Sequence, residues 1–272
     1  MSRSAKLVLV VALAAALTAA CTDEPEETPV NPNAVPSEVV DTVAGSAPAP
    51  SERCHKSGND PATKVVVKTE DGVHLAGVRF GGGARGVVLL PQRGADLCPW
   101  WDYAMELTNA GFHVLAIDVR GTGYSEEGMV TDYTADAIAA VAELKRAGAE
   151  RVVLIGASQG AATALVTAAR YPDEVAGVVS LSYPSGSLDV TGGAGDGPRT
   201  PDEAGPLITV PVLFAFTADD RLGTDPQELA ATVAGPDTRL VGRAGVSHGW
   251  DMLRFGDDDV RPDVLEFLQS YG

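Results

Sequence analysis

Cysteine, histidine, aromatic side chains and positive charge are all scarce in this chain. Its 272 residues hold three cysteines, four histidines, 6% aromatics, and 20 Lys and Arg against 37 Asp and Glu. Each scarcity excludes something. The histidines stand far apart at 55, 74, 113 and 248, and there is no Cys-x-x-Cys, so no metal site and no metal cofactor is expected. A net charge of −17 has the wrong sign for a nucleic-acid partner, because a phosphate backbone needs a basic face. The long apolar run Leu7–Leu17 is too short to span a membrane as a mature helix. No internal repeat is present, which argues against a solenoid or adhesive array. What remains is a hydrophobic content of 45% with 30 glycines, enough for one core of the size usual for an α/β domain.

The N-terminus reads as a targeting segment. Arg3 and Lys6 precede the apolar run, which closes on Leu17-Thr18-Ala19-Ala20-Cys21. This resembles the lipobox of bacterial lipoproteins, with Thr18 the less usual residue in it. The resemblance implies a signal peptide over 1–20 and lipidation at Cys21. It places the chain on the extracytoplasmic face of the cell membrane, held by its N-terminal lipid, with simple secretion as the alternative. Residues 21–60 are expected to be a disordered tether. Thr22–Pro50 is rich in Pro, Glu, Thr, Ser and Ala and has no aromatic residue, so it offers little apolar surface to offset its ordering entropy. In an oxidising compartment Cys54 and Cys98 are left as a pair, and a disulfide between them is expected, against two free thiols.

From residue 61 to 272 apolar runs and helical patterns alternate. Lys64–Lys68 and Val73–Phe80 read as strands joined at Asp71-Gly72, a hairpin signal. Further strands are expected at Gly86–Leu90, Phe112–Val119, Arg151–Ile155, Val175–Leu181, Val210–Ala218 and Thr238–Val241. Helices are expected at Trp100–Ala110, Tyr133–Ala147, Ala161–Arg170, Pro226–Val233 and Val260–Tyr271. Residues 183–206 break the rhythm, with Gly, Asp, Pro and Ser dominant, and read as an excursion or reduced lid. Such alternation implies right-handed crossovers and a mostly parallel sheet covered on both faces, the hairpin adding an antiparallel edge.

In such sheets chemistry collects at the carboxyl ends of the strands. The strand 151–155 runs into Gly156-Ala157-Ser158-Gln159-Gly160 and then into a helix. Strand, Gly-x-Ser-x-Gly, helix is the context in which a sharp turn exposes a nucleophilic serine; the plainer reading is a turn with a capping serine. Two more strand ends deliver Asp219-Asp220 and Ser247-His248-Gly249-Trp250. A serine hydroxyl needs a base to take its proton, and imidazole with a carboxylate behind it serves.

Together with Asp118-Val119-Arg120-Gly121-Thr122-Gly123-Tyr124-Ser125, these segments resemble the α/β-hydrolase superfamily across roughly residues 64–271. The His-Gly-Trp-Asp-Met-Leu ending is similar to that of dienelactone-hydrolase-like proteins and small esterases. The resemblance implies an α/β-hydrolase fold with Ser158 as nucleophile, His248 as base and Asp220, in preference to Asp219, as the acid. The Asp118–Ser125 segment is implied to be a structural turn. The oxyanion hole would use the Gln159 N–H and a second N–H from the loop Pro91-Gln92-Arg93, with Gln92 preferred and Arg93 the alternative. That loop departs from the His-Gly common in the family. Arg93, Trp100, Trp101 and Tyr183 are candidates to line the substrate pocket.

The implied activity is hydrolysis of small to medium carboxylic esters by a monomer with no cofactor, since 183–206 is too short and polar for a lipid-binding lid. Peptidase, thioesterase or acyltransferase use of the same triad, or an inactive surface-tethered binding protein of the same fold, are the alternatives.

Overall fold

The computed structural model describes residues 42–57, 61–254 and 256–272. The chain divides into two units, Met1–Ala34 and Val35–Gly272, and every described residue belongs to the second. The readings on residues 1–20, on Cys21 and on the tether up to residue 41 lie outside the described residues.

Eight strands form one sheet: β1 (Ala62–Lys68), β2 (His74–Phe80), β3 (Arg85–Leu90), β4 (His113–Ile117), β5 (Arg151–Ala157), β6 (Gly177–Leu181), β7 (Val212–Thr217) and β8 (Thr238–Arg243). Their order is β1-β2-β4-β3-β5-β6-β7-β8. The hairpin β1–β2 and the pair β2–β4 are antiparallel, and every other pairing is parallel. The hairpin edge and parallel body are those expected from the sequence.

The apolar runs face two ways. In β5, Val152 and Leu154 join one core while Val153 and Ile155 join the other; in β3, Val88 and Leu90 oppose Val87 and Leu89. Successive side chains of a strand point to opposite faces, so a strand covered on both sides must be apolar throughout. Helices α3 (Tyr133–Arg146) and α4 (Gln159–Arg170) cover the first face with Ala137, Val141, Leu144, Ala161 and Leu165. Helices α2 (Trp101–Asn109) and α7 (Arg261–Tyr271) cover the second with Ala104, Leu107, Val264 and Phe267. Asp132 caps α3 by accepting from the Thr134 and Ala135 N–H groups at 3.0 and 3.2 Å.

Three short helices depart from expectation. The expected helix 226–233 is reduced to α6 (Gln227–Ala230), since β-branched Thr232 and Val233 and then Gly235-Pro236 give the helix no good residue to extend on. Within 183–206 lies α5 (Pro201–Ala204), its N-terminus capped by Thr200. This excursion is tied down by Arg170, which donates to the Pro198 and Ala194 carbonyls at 2.8 and 3.0 Å, and by a buried Val190.

Residues 42–57 are packed rather than loose, in contrast to the tether expected up to residue 60. Ala44 and Ala47 are buried. Lys64 Nζ donates to the Gly45 and Ala47 carbonyls at 2.9 Å each. The short helix α1 (Pro50–Arg53) ends in Arg53, whose guanidinium binds the fully buried Asp118, and Cys54 is disulfide-bonded to Cys98 across 44 residues. Apolar content alone predicts disorder here. An ion pair and a covalent cross-link worth about 2–4 kcal/mol supply what apolar burial does not.

Candidate active site

Ser158 stands between β5 and α4 with φ 52° and ψ −115°. A non-glycine residue in that region costs about 1–3 kcal/mol and persists only where its surroundings enforce it. Here the Ser158 N–H donates to the Leu181 carbonyl at 2.9 Å, and its own carbonyl accepts from the Ala161 N–H at 2.9 Å. The two flanking glycines are required by close approach. A Cβ on Gly156 would sit 2.0 Å from the Gly160 oxygen, and one on Gly160 would sit 2.4 Å from the Leu90 oxygen. Ser158 makes no side-chain capping bond, so its hydroxyl is not the helix cap of the plainer reading.

The acid and the imidazole meet. His248 Nδ1 lies 2.7 Å from Asp220 Oδ2, with their side chains 13% and 4% exposed. The other oxygen of Asp220 accepts from the Leu222 and Gly223 N–H groups at 2.9 and 3.0 Å. Burial alone would raise the Asp220 carboxyl, but bonds from His248, Leu222, Gly223 and Ser182 hold it below the usual carboxylate range. Asp219 points away: it is exposed, and its N–H donates to the Gly245 carbonyl at 3.0 Å. Thr217 Oγ1 donates to the Ser247 carbonyl at 2.8 Å, which locks the acid and histidine loops together. Gly249 brings the histidine loop against the serine turn: a Cβ there would lie 3.1 Å from Ala157 Cβ and 2.0 Å from Gln92 Oε1.

The loop after β3 is joined to both neighbours. Gln92 Oε1 accepts from the Trp250 N–H at 3.3 Å, and Arg93 Nε donates to Gln159 Oε1 at 2.8 Å. Gln159 is the first residue of α4, so its N–H has no intrahelical acceptor. Sequence reasoning did not foresee the Gln92 side chain as a link between these loops. It also missed Ser182, held at φ 51° just past β6 beside Asp220. Its place one residue beyond a strand end was the only signal available.

The aromatic pocket candidates scatter. Tyr183 is 4% exposed, packs edge-on to Phe214 at 6.3 Å and belongs to the core on one face of the sheet; burial raises its phenol to about 12. Trp101 packs on Phe80 at 5.1 Å on the other face. Both rings are core, because large apolar surfaces gain most from complete burial. Trp100, with Trp250 at 6.0 Å, borders a cavity of about 470 Å³ that also contacts Tyr103, Leu253 and Arg261. This larger cavity lies beside the histidine loop and includes neither Ser158 nor His248 in its lining, so it does not mark the chemistry. A smaller one of about 210 Å³ lies against Asp220, Thr217 and Gly223.

The segment after β4 is scaffold. Asp118 accepts from the Leu97 and Tyr124 N–H groups at 2.9 and 2.8 Å as well as from Arg53. Arg120 is clamped between Asp136 and Asp71 at 2.8 Å each. Among the described residues, no group of three His, Cys, Asp or Glu side chains could hold a metal ion.

Residues 86–238 match the family described as alpha/beta hydrolase fold. Among curated proteins the chain is 31% identical over 192 residues to epoxide hydrolase B from Mycobacterium tuberculosis, covering 64% of this chain and 54% of that protein. It is 34% identical over 119 residues to serine hydrolase BPHL from Mus musculus, covering 42% and 40%. The chain thus spans about half the length, or less, of the curated relatives it matches. Among solved structures it resembles the esterase PF2001 from Pyrococcus furiosus, with TM-score 0.63, 21% identity, and 77% and 90% of the two chains covered.

These likenesses correct the expected localisation at the membrane. What the chain matches is the globular fold of solved esterases and hydrolases, over 77% to 83% of its length, and none of the described helices is long and apolar enough to cross a membrane. With the family matched over more than half its residues, this chain belongs to the α/β-hydrolase fold family.

Proposed function

We propose that the protein hydrolyses small to medium carboxylic esters through an acyl-enzyme on Ser158. The observation that carries this reading is the 2.7 Å contact of His248 Nδ1 with an ionised, buried Asp220, together with a serine held at φ 52° with no capping bond, on the turn against which Gly249 packs. His248 takes the Ser158 proton as the hydroxyl attacks the ester carbonyl, and Asp220 fixes the imidazole tautomer and stabilises the cation that forms. The developing oxyanion is received by the Gln159 N–H and a second N–H of the loop after β3, from Gln92 or Arg93. His248 then gives its proton to the leaving alcohol, and water repeats the sequence to release the acid.

The relatives named epoxide hydrolases point to a second reaction, which the serine disfavours. Attack of a hydroxyl on an epoxide would leave an ether on the enzyme that water does not cleave at neutral pH, whereas attack on an ester leaves an acyl group that it does. The test is hydrolysis of p-nitrophenyl acetate and butyrate by the wild-type protein and by Ser158→Ala, with fluorophosphonate labelling alongside. The expected result is turnover and labelling that vanish together in the variant; full activity in Ser158→Ala, or a wild-type protein that neither reacts nor labels, refutes the mechanism.

A further inference from the structure

Arg93 is one of several arginines, with Arg85, Arg151 and Arg221, that no carboxylate among the described residues pairs with, and it is the one bonded to the residue next to Ser158. Arg53, Arg120, Arg239, Arg243 and Arg261 are each tied to a carboxylate. Arg93 is exposed, its hydrogen-bond partner among the described residues is Gln159, and no carboxylate there pairs with it. Yet it is not a loose surface residue. Its Nε is fixed at 2.8 Å to a side chain that is itself 7% exposed and belongs to the residue next to Ser158. With Nε occupied, the guanidinium retains the edge formed by Nη1 and Nη2, a planar fork that matches the two oxygens of a carboxylate.

The strand order says which part of a substrate meets this fork. β3, which leads into Arg93, lies on one side of β5, and β7 and β8, which lead into Asp220 and His248, lie on the other. The leaving alcohol must sit on the histidine side, because His248 protonates it. That rim carries Leu222, 70% exposed, and Val246, 73% exposed, together with the exposed Arg221 next to the acid. The acyl portion therefore extends toward β3 and Arg93.

We infer that Arg93 is a specificity-determining residue that selects esters whose acyl group carries a free carboxylate, so that half-esters of dicarboxylic acids are the preferred substrate class. The inference rests on the ester-hydrolase reading above. Hydrolysis of such a half-ester consumes one water and releases the alcohol and a dicarboxylic acid. The consuming reaction must accept a dicarboxylate, and the supplying reaction must leave one carboxyl of it esterified. The field of a chain with net charge −17 repels an anionic substrate at long range, so the selection is local to the fork.

The experiment compares mono-p-nitrophenyl glutarate with p-nitrophenyl pentanoate, and mono-p-nitrophenyl adipate with p-nitrophenyl hexanoate, in the wild-type protein, Arg93→Gln and Arg93→Lys. The readout is the ratio of kcat/KM for the anionic ester to that for its neutral partner, in which any common loss from a disturbed Gln159 cancels. The wild-type ratio is expected to exceed one for at least one pair. It should fall about tenfold or more in Arg93→Gln and by less in Arg93→Lys, which keeps the charge and loses the fork. It should also decline as salt is raised. A ratio unchanged within twofold in Arg93→Gln, with neutral esters still turned over, overturns the role of Arg93 and leaves the esterase reading standing. A wild-type protein that cleaves none of the four esters overturns both.

Discussion

Two aspartates sit just past strand ends, are buried, and hold a cationic or ionisable partner. Asp118 follows β4, and Asp220 follows β7. Asp118 is wholly enclosed and its carboxyl is pushed up by burial, against the opposing pull of Arg53 and the Tyr124 and Leu97 N–H groups. Every direction around it is closed by the N-terminal segment and the 118–125 turn; even a Cβ on Gly123 would lie 2.1 Å from its Oδ2. Asp220 has two backbone donors on one oxygen and the His248 ring on the other, and its carboxyl lies below the usual range. Burial and charge are common to both. The partner differs: a permanently charged guanidinium that closes a loop, against an imidazole that can gain and lose a proton. A buried carboxylate at a strand end is thus a scaffold or part of a catalytic relay according to what it holds.

That contrast can be broken by substitution. Asp220→Asn keeps an acceptor for the Leu222 and Gly223 N–H groups but favours the wrong histidine tautomer. The expected loss in kcat is about 10⁴-fold with the melting temperature nearly unchanged, measured by p-nitrophenyl butyrate hydrolysis and thermal denaturation. Asp118→Asn should do the reverse. Leaving the Arg53 side chain, 4% exposed, with only the more distant Asp96 carboxylate at 3.8 Å is expected to cost about 3 kcal/mol of stability, read in urea unfolding, with kcat per folded molecule retained. If Asp118→Asn abolished turnover in a protein of normal stability, the scaffold assignment would be lost.

Reducing the Cys54–Cys98 bond removes the second tie of the same N-terminal segment. It should lower stability by about 2–4 kcal/mol, and Cys54→Ser with Cys98→Ser should reproduce the shift and make it insensitive to reductant. The smallest effect concerns pH. Burial raises Asp136 to about 6, against the opposing pull of Arg120. Its folded pKa is then above the unfolded value of 3.8, so the native state binds more protons in that window and stability falls as pH rises from about 4 to about 6. The decline should be on the order of 1–3 kcal/mol, and Asp136→Asn should flatten it; the Asp220–His248 contact, whose acid is depressed, contributes its pH dependence below this window.

The sequence by itself determined the fold and the serine turn. Alternating apolar runs and helical spacing are local patterns, and a strand buried on both faces cannot be written without them, so β3 to β8 were legible to within a few residues. Gly156 and Gly160 were legible for the same local reason, since only glycine admits the contacts of that turn.

Tertiary structure alone decided three matters. It set Asp220, which the resemblance preferred without excluding Asp219, against His248 at 2.7 Å, because a one-residue step in a tight turn reverses the direction of a side chain. It buried Tyr183 and Trp101, whose sequence neighbours carry no record of which sheet face they meet. It also drew residues 42–57 into the domain through Arg53, Lys64 and Cys54. Those ties join residues far apart in the chain, and composition averaged over a segment does not register a few specific long-range bonds that offset its ordering entropy.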